Sequence, residues 1–532
     1  MNGVTTDGIS LTGTGLTIEE VVAVARSNAA VLCLEADVRR RMQESADWVK
    51  RVIDEDRQAV YGVNTGFGPL ARERIRREDT RALSYNVVVA CGVGVDDPLP
   101  AEIVRAGMLI RANSLAKGFS GVRPIVVDTL IAMLNAGVTP VVPAKGSLGA
   151  SGDLAPLAHI AMVLAETPAD LPDDSGFAFY GGECLNGHEA MTRAGISPVL
   201  LEAKEGLALT NGATVTAGLA SLAVRDAWNL VRNAEVALAM SVEALHGFSD
   251  AFDPHPHLAR GHRGQQETAR NVMRLVDGSE LVNAHPEKVQ DAYSLRCGPQ
   301  VLGAVRDALR FITSVVETEI NAASDNPLIF MDLARENKVI SAGNFHGEPL
   351  AFAMDQLGMV TAEIASISER RTFRLTTPEL SDGLPSMLIV NPGLNCGYMM
   401  PQYTAASLVS DNKTLAHPDS VDSIPTSANQ EDHVSMSWNA ARHAREIICN
   451  SEQVVAIELL SAAQALDLRP ADLQRGRGTA VAHRLIREQV EVVERDRSLF
   501  LPMMAVADLV RAGRFLEAVA AAVRESGGEV FE

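Results

Sequence analysis

The chain is poor in the features that mark secreted and membrane-spanning proteins. Its few cysteines never form a Cys-x-x-Cys pair, which argues against a disulfide framework and favours a reducing, cytoplasmic compartment. They are Cys33, Cys91, Cys184, Cys297, Cys396 and Cys449. The sequence begins without a basic-then-apolar signal segment, and no apolar run approaches the roughly 20 residues that span a bilayer. We therefore expect neither secretion nor insertion into a membrane.

Linkers and a basic surface are missing as well. The 532 residues contain no Ser/Pro-rich linker, low-complexity tract or internal repeat, so we expect a tightly integrated chain. The formal charge of −20 comes from 47 basic and 67 acidic residues that are spread evenly along the chain. Such a charge distribution argues against nucleic acid or an anionic membrane as a partner.

Residues 145–159 carry the most informative pattern, because their central Ala150-Ser151-Gly152 can form an electrophile without an external cofactor. The amide nitrogen of Gly152, which no Cβ hinders, can attack the carbonyl carbon of Ala150, and loss of water then closes a five-membered ring. Loss of a second water from Ser151 would leave a 4-methylidene-imidazol-5-one ring (MIO), whose methylene accepts an amine. Ala-Ser-Gly alone is a common tripeptide, so the prediction depends on its context.

The chain before this tripeptide is predicted to be irregular. Between Gly137 and Gly152 it is rich in Val, Pro and Gly. A regular helix would hold the nitrogen of Gly152 and the carbonyl of Ala150 too far apart to cyclise. The composition therefore predicts a strained loop where the ring would need one.

Helical patterns dominate the rest of the sequence. Thr17 and Glu20 have the form of a capping box at the start of a first helix. Pro100 and Pro124 each begin a further apolar-periodic run, and Gly137 ends the second of these. Four long helical patterns follow, at about 213–247, 300–323, 348–371 and 434–466. Few strands are evident, so the predicted fold class is mainly α, a bundle of long helices.

Residues 145–159 as a whole resemble the signature of the aromatic amino acid ammonia-lyase family, and its histidine-specific branch most closely. The resemblance extends over roughly residues 15–515. It is carried by Tyr61-Gly62-Val63-Asn64-Thr65-Gly66-Phe67-Gly68, Asn211-Gly212, Tyr293-Ser294-Leu295-Arg296-Cys297, Asn344-Phe345-His346 and Asn429-Gln430-Glu431-Asp432-His433-Val434-Ser435-Met436.

The resemblance implies a fumarase/aspartase-like helical fold. It implies an N-terminal domain over 1–205 that carries the MIO loop, and a long-helix bundle with a C-terminal helical region over 206–532. It further implies an MIO group made from the chain itself, no external cofactor and no metal, an aromatic amino acid as substrate, and a homotetramer whose active sites each draw on three subunits.

Elimination of ammonia from an α-amino acid requires a better leaving group, a base for a weakly acidic β-proton and a grip on the carboxylate. The methylene from Ser151 would supply the first. By resemblance, Tyr61 is the base, Gly68 of the same motif is a substrate-binding residue, and Tyr293 supports the ring or shuttles protons. A tyrosine of ordinary pKa near 10 is a poor base at neutral pH, so Tyr61 needs neighbouring positive charge or hydrogen bonds to its phenolate.

The remaining candidates would bind the substrate and the ring. Arg296 lies three residues after Tyr293, about one helical turn, and its guanidinium can hold a carboxylate with two parallel N–H groups. Asn211 and Gln290 are uncharged amides that could hold the MIO carbonyl oxygen and the substrate amine. Phe345 resembles the phenylalanine that packs against the MIO ring in this family, although core packing would explain it equally well.

Two features disagree about the substrate. Glu431 has the form found in histidine-specific members, where the glutamate meets the imidazole. The pair three and four residues before Gly92 is Ser-His in those members, and here it is Val88-Val89. An unpaired imidazole or phenol against these valines costs about 1–3 kcal/mol, or roughly 5- to 150-fold, which disfavours tyrosine clearly and histidine in part. Histidine therefore stays ahead of phenylalanine only by a small margin, because an unpaired carboxylate beside a phenyl ring is costly.

Other interpretations stay open at this point. The 2,3-aminomutases share every catalytic motif named above and differ in how long ammonia and acrylate are retained. A helical scaffold that has lost the chemistry should lack Ser151, Tyr61, Tyr293 or Arg296, and all four are present.

The histidines of residues 253–257, with nearby His262, look like a metal cluster at first sight. Two prolines are expected to hold them in an extended, capped surface loop without a clear fourth ligand, so we discount metal binding there. His159 is expected to be a satisfied core histidine.

Overall fold

A computed structural model describes residues 8–169, 171, 173–525 and 527–531. Helices dominate the described residues, and the predicted mainly α fold class is confirmed. The α-helices are α1 (Ile18–Ser27), α2 (Ala36–Glu55), α3 (Thr80–Cys91), α4 (Ala101–Ala116), α5 (Pro124–Ala136), α6 (Leu154–Leu164), α7 (Gly187–Arg193), α8 (Glu205–Thr210), α9 (Thr214–Ala244), α10 (Pro254–Arg260), α11 (Arg263–Leu275), α12 (Tyr293–Arg296), α13 (Gly298–Glu319), α14 (Glu348–Thr376), α15 (Met399–Leu415), α16 (Ser437–Asp467), α17 (Arg477–Gln489), α18 (Phe500–Arg511) and α19 (Arg514–Glu525).

The strands are short and form small antiparallel sheets. They are β1 (Val95–Pro98), β2 (Thr139–Pro140), β3 (Pro143–Lys145), β4 (Phe177–Tyr180), β5 (Glu183–Asn186), β6 (Leu328–Ile329) and β7 (Val339–Ile340). β1 pairs with β3, β4 lies between β2 and β5, and β6 pairs with β7. Because β3 is held against β1, the chain enters the loop after Lys145 from a fixed position.

The described chain forms two compact units, and each is assembled from three segments. The first comprises Met1–Arg225, Thr313–Asp355 and Pro418–Arg442, and the second comprises Asp226–Ile312, Gln356–His417 and His443–Glu532. The predicted domains, 1–205 and 206–532, follow chain order instead, and that division stays a prediction.

Local capping signals place the first helices where the sequence predicts them. The Thr17 side chain accepts a hydrogen bond from the Glu20 amide, and the Glu20 carboxylate accepts one from the Thr17 amide, so the capping box at the start of α1 is complete. Gly137 ends α5 in the left-handed conformation, with φ +79°.

The long helices begin and end within a few residues of their predicted bounds. α9, α13, α14 and α16 correspond to the four predicted long patterns, and α9 and α16 contain 31 residues each.

The prediction for residues 253–257 was wrong. They begin α10, a helix rather than an extended loop. Pro254 occupies its first turn, where the missing N–H costs nothing, and Asp253 caps it by accepting a hydrogen bond from the His255 amide at 2.9 Å.

In the first unit, α3 packs against α6 and α8, the helices that follow the Ala150–Gly152 tripeptide and precede Asn211. A separate apolar cluster lies under α2 and is formed by Trp48, Val49, Val52, Val60, Val63, Ala203 and Ile329. The site described below is therefore supported by packed helices rather than by loops alone.

The second unit contains fully buried ion pairs between its long helices. Arg306 donates to Glu235 at 2.8 Å, and Arg371 donates to Glu458 at 2.5 Å, with all four side chains inaccessible to solvent. Ser241 and other polar groups complete the hydrogen bonding of these carboxylates, which is what allows buried charges to be tolerated.

One described helix, α14, has the length and composition of a membrane span. In its most apolar window, 56% of the residues are buried inside the structure. Core helices of folded proteins have the same character, so this helix is weak evidence for a membrane span.

Candidate active site

The loop that contains Ala150-Ser151-Gly152 runs from the end of β3 to the start of α6 and lies in the first unit. Ala150 is buried and Ser151 is half-buried. Gly152 has φ +73°, and a Cβ on it would lie 2.2 Å from the carbonyl carbon of Gly212. The position therefore requires glycine on both counts, and the predicted irregular loop is present.

A short backbone ladder holds the two glycines against each other. The Gly212 amide donates to the Ser151 carbonyl at 3.1 Å, and the Asp153 amide donates to the Gly212 carbonyl at 2.9 Å. The Gly152 carbonyl accepts from Ser147 Oγ at 3.2 Å. None of these three bonds uses the Gly152 nitrogen or the Ala150 carbonyl, which are the two groups that cyclisation would join.

The segment after Pro418 closes over the other side of this loop. The Gly149 carbonyl accepts from the Gly347 amide at 3.1 Å and from Ser435 Oγ at 3.0 Å. The Met436 amide donates to the Leu148 carbonyl at 2.8 Å. An apolar cluster of Leu148, Ala150, Val434 and Met436 fills the space between them. The loop is thus fixed before and after the tripeptide.

Glu431 contacts the tripeptide directly. Ser151 Oγ donates to Glu431 Oε1 at 2.5 Å, and Thr426 Oγ1 donates to Glu431 Oε2 at 2.9 Å. Both carboxylate oxygens are therefore satisfied inside the chain. This contact joins two sequence candidates that are 280 residues apart.

Tyr61 and Gly68 also form a pair. The Gly68 amide donates to the Tyr61 hydroxyl at 3.2 Å, and Tyr61 is half-buried. The turn Gly68–Leu70 contacts the turn Ser427–Asn429, which directly precedes the segment of Glu431. Tyr61, Gly68 and Glu431 therefore belong to one region of the first unit.

Asn211 ends α8 next to Gly212 and is buried. Within the described part of the chain, its Oδ1 has no hydrogen-bond partner. A buried acceptor beside Ala150-Ser151-Gly152 suits a ligand with an N–H group, such as an amine. This unpaired acceptor suits the amine of a substrate, and position 152, which admits no Cβ, fits the cyclised backbone of an MIO group at Ala150-Ser151-Gly152.

Val88 and Val89 lie in the last turn of α3. Val88 is fully buried and Val89 is half-buried, so Val89 is the better placed of the two to meet a ligand. Cys91, one turn after Val88, was missed by the sequence reasoning. Burial, and then the nearby charge of Glu431, raise the pKa of the Cys91 thiol to about 11, so the thiol is neutral at physiological pH.

Phe345 is half-buried and lies two residues before Gly347, whose amide binds the tripeptide loop. It belongs to the first unit with the residues above. The neighbouring His346 ring stacks on His433 with 5.8 Å between ring centroids.

Gln290, Tyr293 and Arg296 belong to the second unit. Tyr293 begins α12 and is 71% exposed, and Gln290 is exposed as well. The Arg296 guanidinium lies 4.7 Å from the centre of the Tyr293 ring, a cation–π contact that their three-residue spacing on a helix permits. Tyr293 and Arg296 therefore lie side by side on α12, and their place in one active site stays a prediction.

Asp153 is a second residue that the sequence reasoning left without a role. It precedes α6, but its carboxylate reaches α9 instead of capping its own helix. It accepts from the Thr216 amide at 2.7 Å and from Thr216 Oγ1 at 2.6 Å. Its only sequence signal was its place directly after Ala150-Ser151-Gly152. The effect of this contact is to fix the chain immediately after Gly152.

Two further ionisable groups, the buried Arg111 and the half-buried Glu319, lie near the Asp153 carboxylate. Burial raises the pKa of Asp153 to about 6, against the opposing effects of the Thr216 hydrogen bonds and the Arg111 charge. Burial, and then the Asp153 carboxylate, raise the pKa of Glu319 to about 7. Burial lowers the pKa of Arg111 to about 10. The folded protein therefore favours the neutral form of both acids more than the unfolded chain does.

Glu319→Gln should change how stability depends on pH. The pKa of Glu319 is raised on folding, so its protonated form stabilises the folded protein below about pH 4.5, and this stabilisation is lost as pH rises through about 7. Glutamine does not ionise. We expect the difference in unfolding free energy, variant minus wild type, to shift by about 1–2 kcal/mol in favour of the variant between pH 5 and pH 8, after allowing for partial solvent exposure.

Urea denaturation at the two pH values measures this shift. Glu317→Gln is the matched control, because Glu317 is exposed and lies two residues earlier on α13. A shift of equal size in the control would show that Glu319 is not the group responsible.

The chain is similar to known proteins over most of its length. A family model described as Aromatic amino acid lyase matches residues 16–488. The chain is 51% identical over 510 residues to a histidine ammonia-lyase of Caldanaerobacter subterraneus subsp. tengcongensis, which covers 96% of this chain and 97% of that protein.

Solved structures of the same kind superpose over nearly the whole chain. Tyrosine aminomutase from Streptomyces globisporus matches with a TM-score of 0.90 and 34% identity, covering 97% of this chain and 98% of that one. Histidine ammonia-lyase from Trypanosoma cruzi matches with a TM-score of 0.88 and 37% identity, covering 97% and 96%. The resemblance found in the sequence is thus confirmed, and the chain belongs to the aromatic amino acid lyase family.

Proposed function

We propose that this protein is an ammonia-lyase that converts L-histidine to urocanate and ammonia. The observation that carries the proposal is the 2.5 Å hydrogen bond between Ser151 Oγ and Glu431 Oε1, because it puts a carboxylate in contact with the residue from which the electrophile would form. A carboxylate there can accept a hydrogen bond from an imidazole N–H, whereas a phenyl ring would leave it unpaired. The name of the relative that is 51% identical supports the same substrate.

We infer that Ala150-Ser151-Gly152 forms MIO autocatalytically and that no external cofactor is needed. When present, MIO supplies an electrophilic methylene that takes up the substrate amine. The anchored loop supports its formation, because neighbouring hydrogen bonds hold the tripeptide bent and leave the Gly152 nitrogen out of the ladder. Glu431 accepts from the hydroxyl that dehydration would remove, so its Oε1 becomes available to the substrate once Ser151 has reacted.

Residues of the first unit then have distinct roles. Tyr61 removes the β-proton, and the Gly68 amide that donates to its hydroxyl would stabilise the phenolate form. The vacant Oδ1 of Asn211 accepts from the substrate amine, while Phe345 packs against the ring.

In the second unit, Arg296 binds the substrate carboxylate and Tyr293 supports the ring or shuttles protons. The contact between the guanidinium and the Tyr293 ring holds the two side chains in a fixed relation, which reduces the entropy lost when a substrate binds. Gln290 supplies a further amide toward the substrate or the ring.

We further propose a homotetramer in the cytoplasm. Large apolar side chains are exposed on α13, α14 and α15, which is typical of helices that pack against other subunits. They include Phe311, Phe352, Met359 and Tyr403.

Val88-Val89 favours a second candidate, a phenylalanine ammonia-lyase or phenylalanine 2,3-aminomutase. The half-buried Val89 offers no hydrogen bond to an imidazole, and it suits a phenyl ring. The substrate assay below separates the two candidates.

Glu431→Gln should reduce kcat/KM for L-histidine by about 10- to 100-fold, because a charge-assisted hydrogen bond contributes about 1.5–3 kcal/mol. Wild type and variant are assayed separately with L-histidine, L-phenylalanine and L-tyrosine, and the products are identified by chromatography with mass detection. Asp432→Asn is the matched control, since Asp432 is the adjacent exposed acid.

Urocanate from wild type, with the expected loss in Glu431→Gln alone, supports the proposal. Cinnamate from phenylalanine, with no urocanate, would replace it by the second candidate, and β-phenylalanine would identify a mutase. Intact mass of the variant shows whether two waters have still been lost, which separates a defect in substrate binding from one in ring formation.

A further inference from the structure

His246 is a buried histidine in the second unit that the proposed reaction does not use. It follows the end of α9 in a left-handed turn with φ +49° and is only 6% exposed. Both of its ring nitrogens are buried, and neither has a hydrogen-bond partner in the described residues. Asp382 Oδ2 is buried without a partner in the same way. Leaving such groups unsatisfied costs about 1–3 kcal/mol each, so they call for a ligand.

These atoms converge with a second histidine, His285. His246 Nδ1 lies 3.4 Å from Asp382 Oδ2, and His285 Nε2 lies 3.8 Å from the same oxygen. One donor atom from each of the three side chains falls within 4.8 Å of the others. Nitrogen and oxygen ligands at about 2.0–2.2 Å from a tetrahedral zinc ion are roughly 3.3–3.6 Å apart, which matches the shorter distance and approaches the longer one.

A second carboxylate orients the His285 ring through its other nitrogen. Its Nδ1 lies 2.8 Å from Glu287 Oε1, so the carboxylate holds one ring nitrogen while the other faces Asp382. Metal-bound histidines are oriented by carboxylates in this way, which fixes the tautomer and makes the ligand more basic.

We propose that His246, His285 and Asp382 bind a divalent transition-metal ion of the zinc class, with water in the remaining position. Two imidazoles and one carboxylate form a donor set that zinc accepts readily. The two rings are stacked with centroids 4.7 Å apart and planes at 14°, so coordination requires one ring to turn until the two lone pairs converge on the ion. The His285 side chain is 39% exposed and that of its partner Glu287 is 71% exposed, so both can move together when the ion binds.

The charged side chains of Lys288 and Arg469 lie nearby, but they do not bind the three donor atoms of the proposed site. Lys288 Nζ donates to the carbonyls of Leu245 and His246, and the Arg469 guanidinium donates to the Ala244 carbonyl. Both therefore bind the end of α9, where they neutralise its negative dipole.

The ion would join three separate segments of the second unit: the end of α9, the loop before α12 and the turn that contains Asp382. His285 lies eight residues before Tyr293. Fixing that loop would restrict the segment that carries Gln290 and leads into Tyr293 and Arg296. The site is therefore structural, and it does not depend on the reaction proposed above.

Metal binding to the full-length protein tests this directly. Protein dialysed against a chelator is titrated with Zn²⁺ by calorimetry and with Co²⁺ by visible absorption. We expect one ion per chain and the d–d absorption of tetrahedral Co²⁺. His246→Asn, His285→Asn and Asp382→Asn should each remove stoichiometric binding. Asparagine is chosen because His246 and Asp382 both have positive φ, which asparagine tolerates. Glu287→Gln should weaken binding by about 10- to 100-fold.

His255→Asn is the matched control, since the exposed His255 also contacts an aspartate, Asp253, at 2.6 Å. It should bind as wild type does. His346→Asn/His433→Asn removes the other histidine pair and should also leave binding unchanged. If His246→Asn fails to fold, the partly exposed His285 gives the same test. The proposal is overturned by the absence of stoichiometric binding in wild type, by binding that survives all three ligand variants, or by binding lost only in the His346/His433 variant.

Discussion

Ser151→Ala is expected to abolish turnover, by about 10⁴-fold or more, while leaving the fold intact. Alanine cannot lose the second water, so no methylene would form and the substrate amine would have no electrophile. Losses of this order follow when the group that forms the covalent bond is removed from an enzyme. The measurement is product formation from L-histidine, combined with the intact mass of each purified chain.

Intact mass reports whether the MIO ring has formed, and the thermal midpoint reports whether the fold is intact. Wild type should be lighter than its sequence mass by two waters, and the variant should not be. Mature wild type has already lost the Ser151 hydroxyl and with it the hydrogen bond to Glu431, so the absence of this bond in the variant should change the thermal midpoint little. Ser10→Ala is the matched control, because Ser10 is exposed and also donates to a glutamate, Glu35, at 3.3 Å. Full activity in Ser151→Ala would exclude the MIO mechanism for this chain.

Much of the fold could be predicted because its signals are local. A capping box, prolines at helix starts and a terminal glycine fix α1, α4 and α5 within a few residues, and apolar periodicity finds the long helices. The same reasoning failed at residues 253–257, where two prolines suggested extended chain. Pro254 at the first helical position and a capping aspartate favour a helix just as well.

The site was only partly accessible from sequence. Glycine at 152 could be predicted, because cyclisation needs an unhindered nitrogen, but its contact with Gly212 could not. The Ser151–Glu431 hydrogen bond spans 280 residues, and the burial of Cys91 beside Glu431 depends on how α3 packs. Neither contact leaves a periodic or spacing signal. Contacts of this kind are set by tertiary packing, which no local pattern encodes.

Asp153 shows a related limit, because its local sequence signal predicts a contact that it does not make. An aspartate before a helix is normally read as a cap, yet its carboxylate bonds to Thr216 of α9. Local rules predict that this side chain caps α6. It bonds to α9 instead and so joins the two helices directly after Gly152. Residues that break a local rule in this way are often the ones that serve a site.

Tyr61→Phe is expected to lower kcat by about 10²- to 10⁴-fold with little change in KM, because a positioned base acts in the transition state and contributes little to substrate binding. The phenylalanine keeps the ring and removes only the hydroxyl that accepts from the Gly68 amide at 3.2 Å. Steady-state kinetics with L-histidine measure both constants. Tyr180→Phe, in β4 of the same unit, is the matched control and should behave as wild type.

Intact mass decides what a loss of activity in Tyr61→Phe means. If Tyr61 acts only as the base, the variant should still be lighter by two waters, since ring formation needs the bent loop and not the phenol. Retained mass loss with lost turnover therefore assigns Tyr61 to the proton-transfer step. A variant of full sequence mass would assign it to maturation instead, and unchanged turnover would remove it as the base.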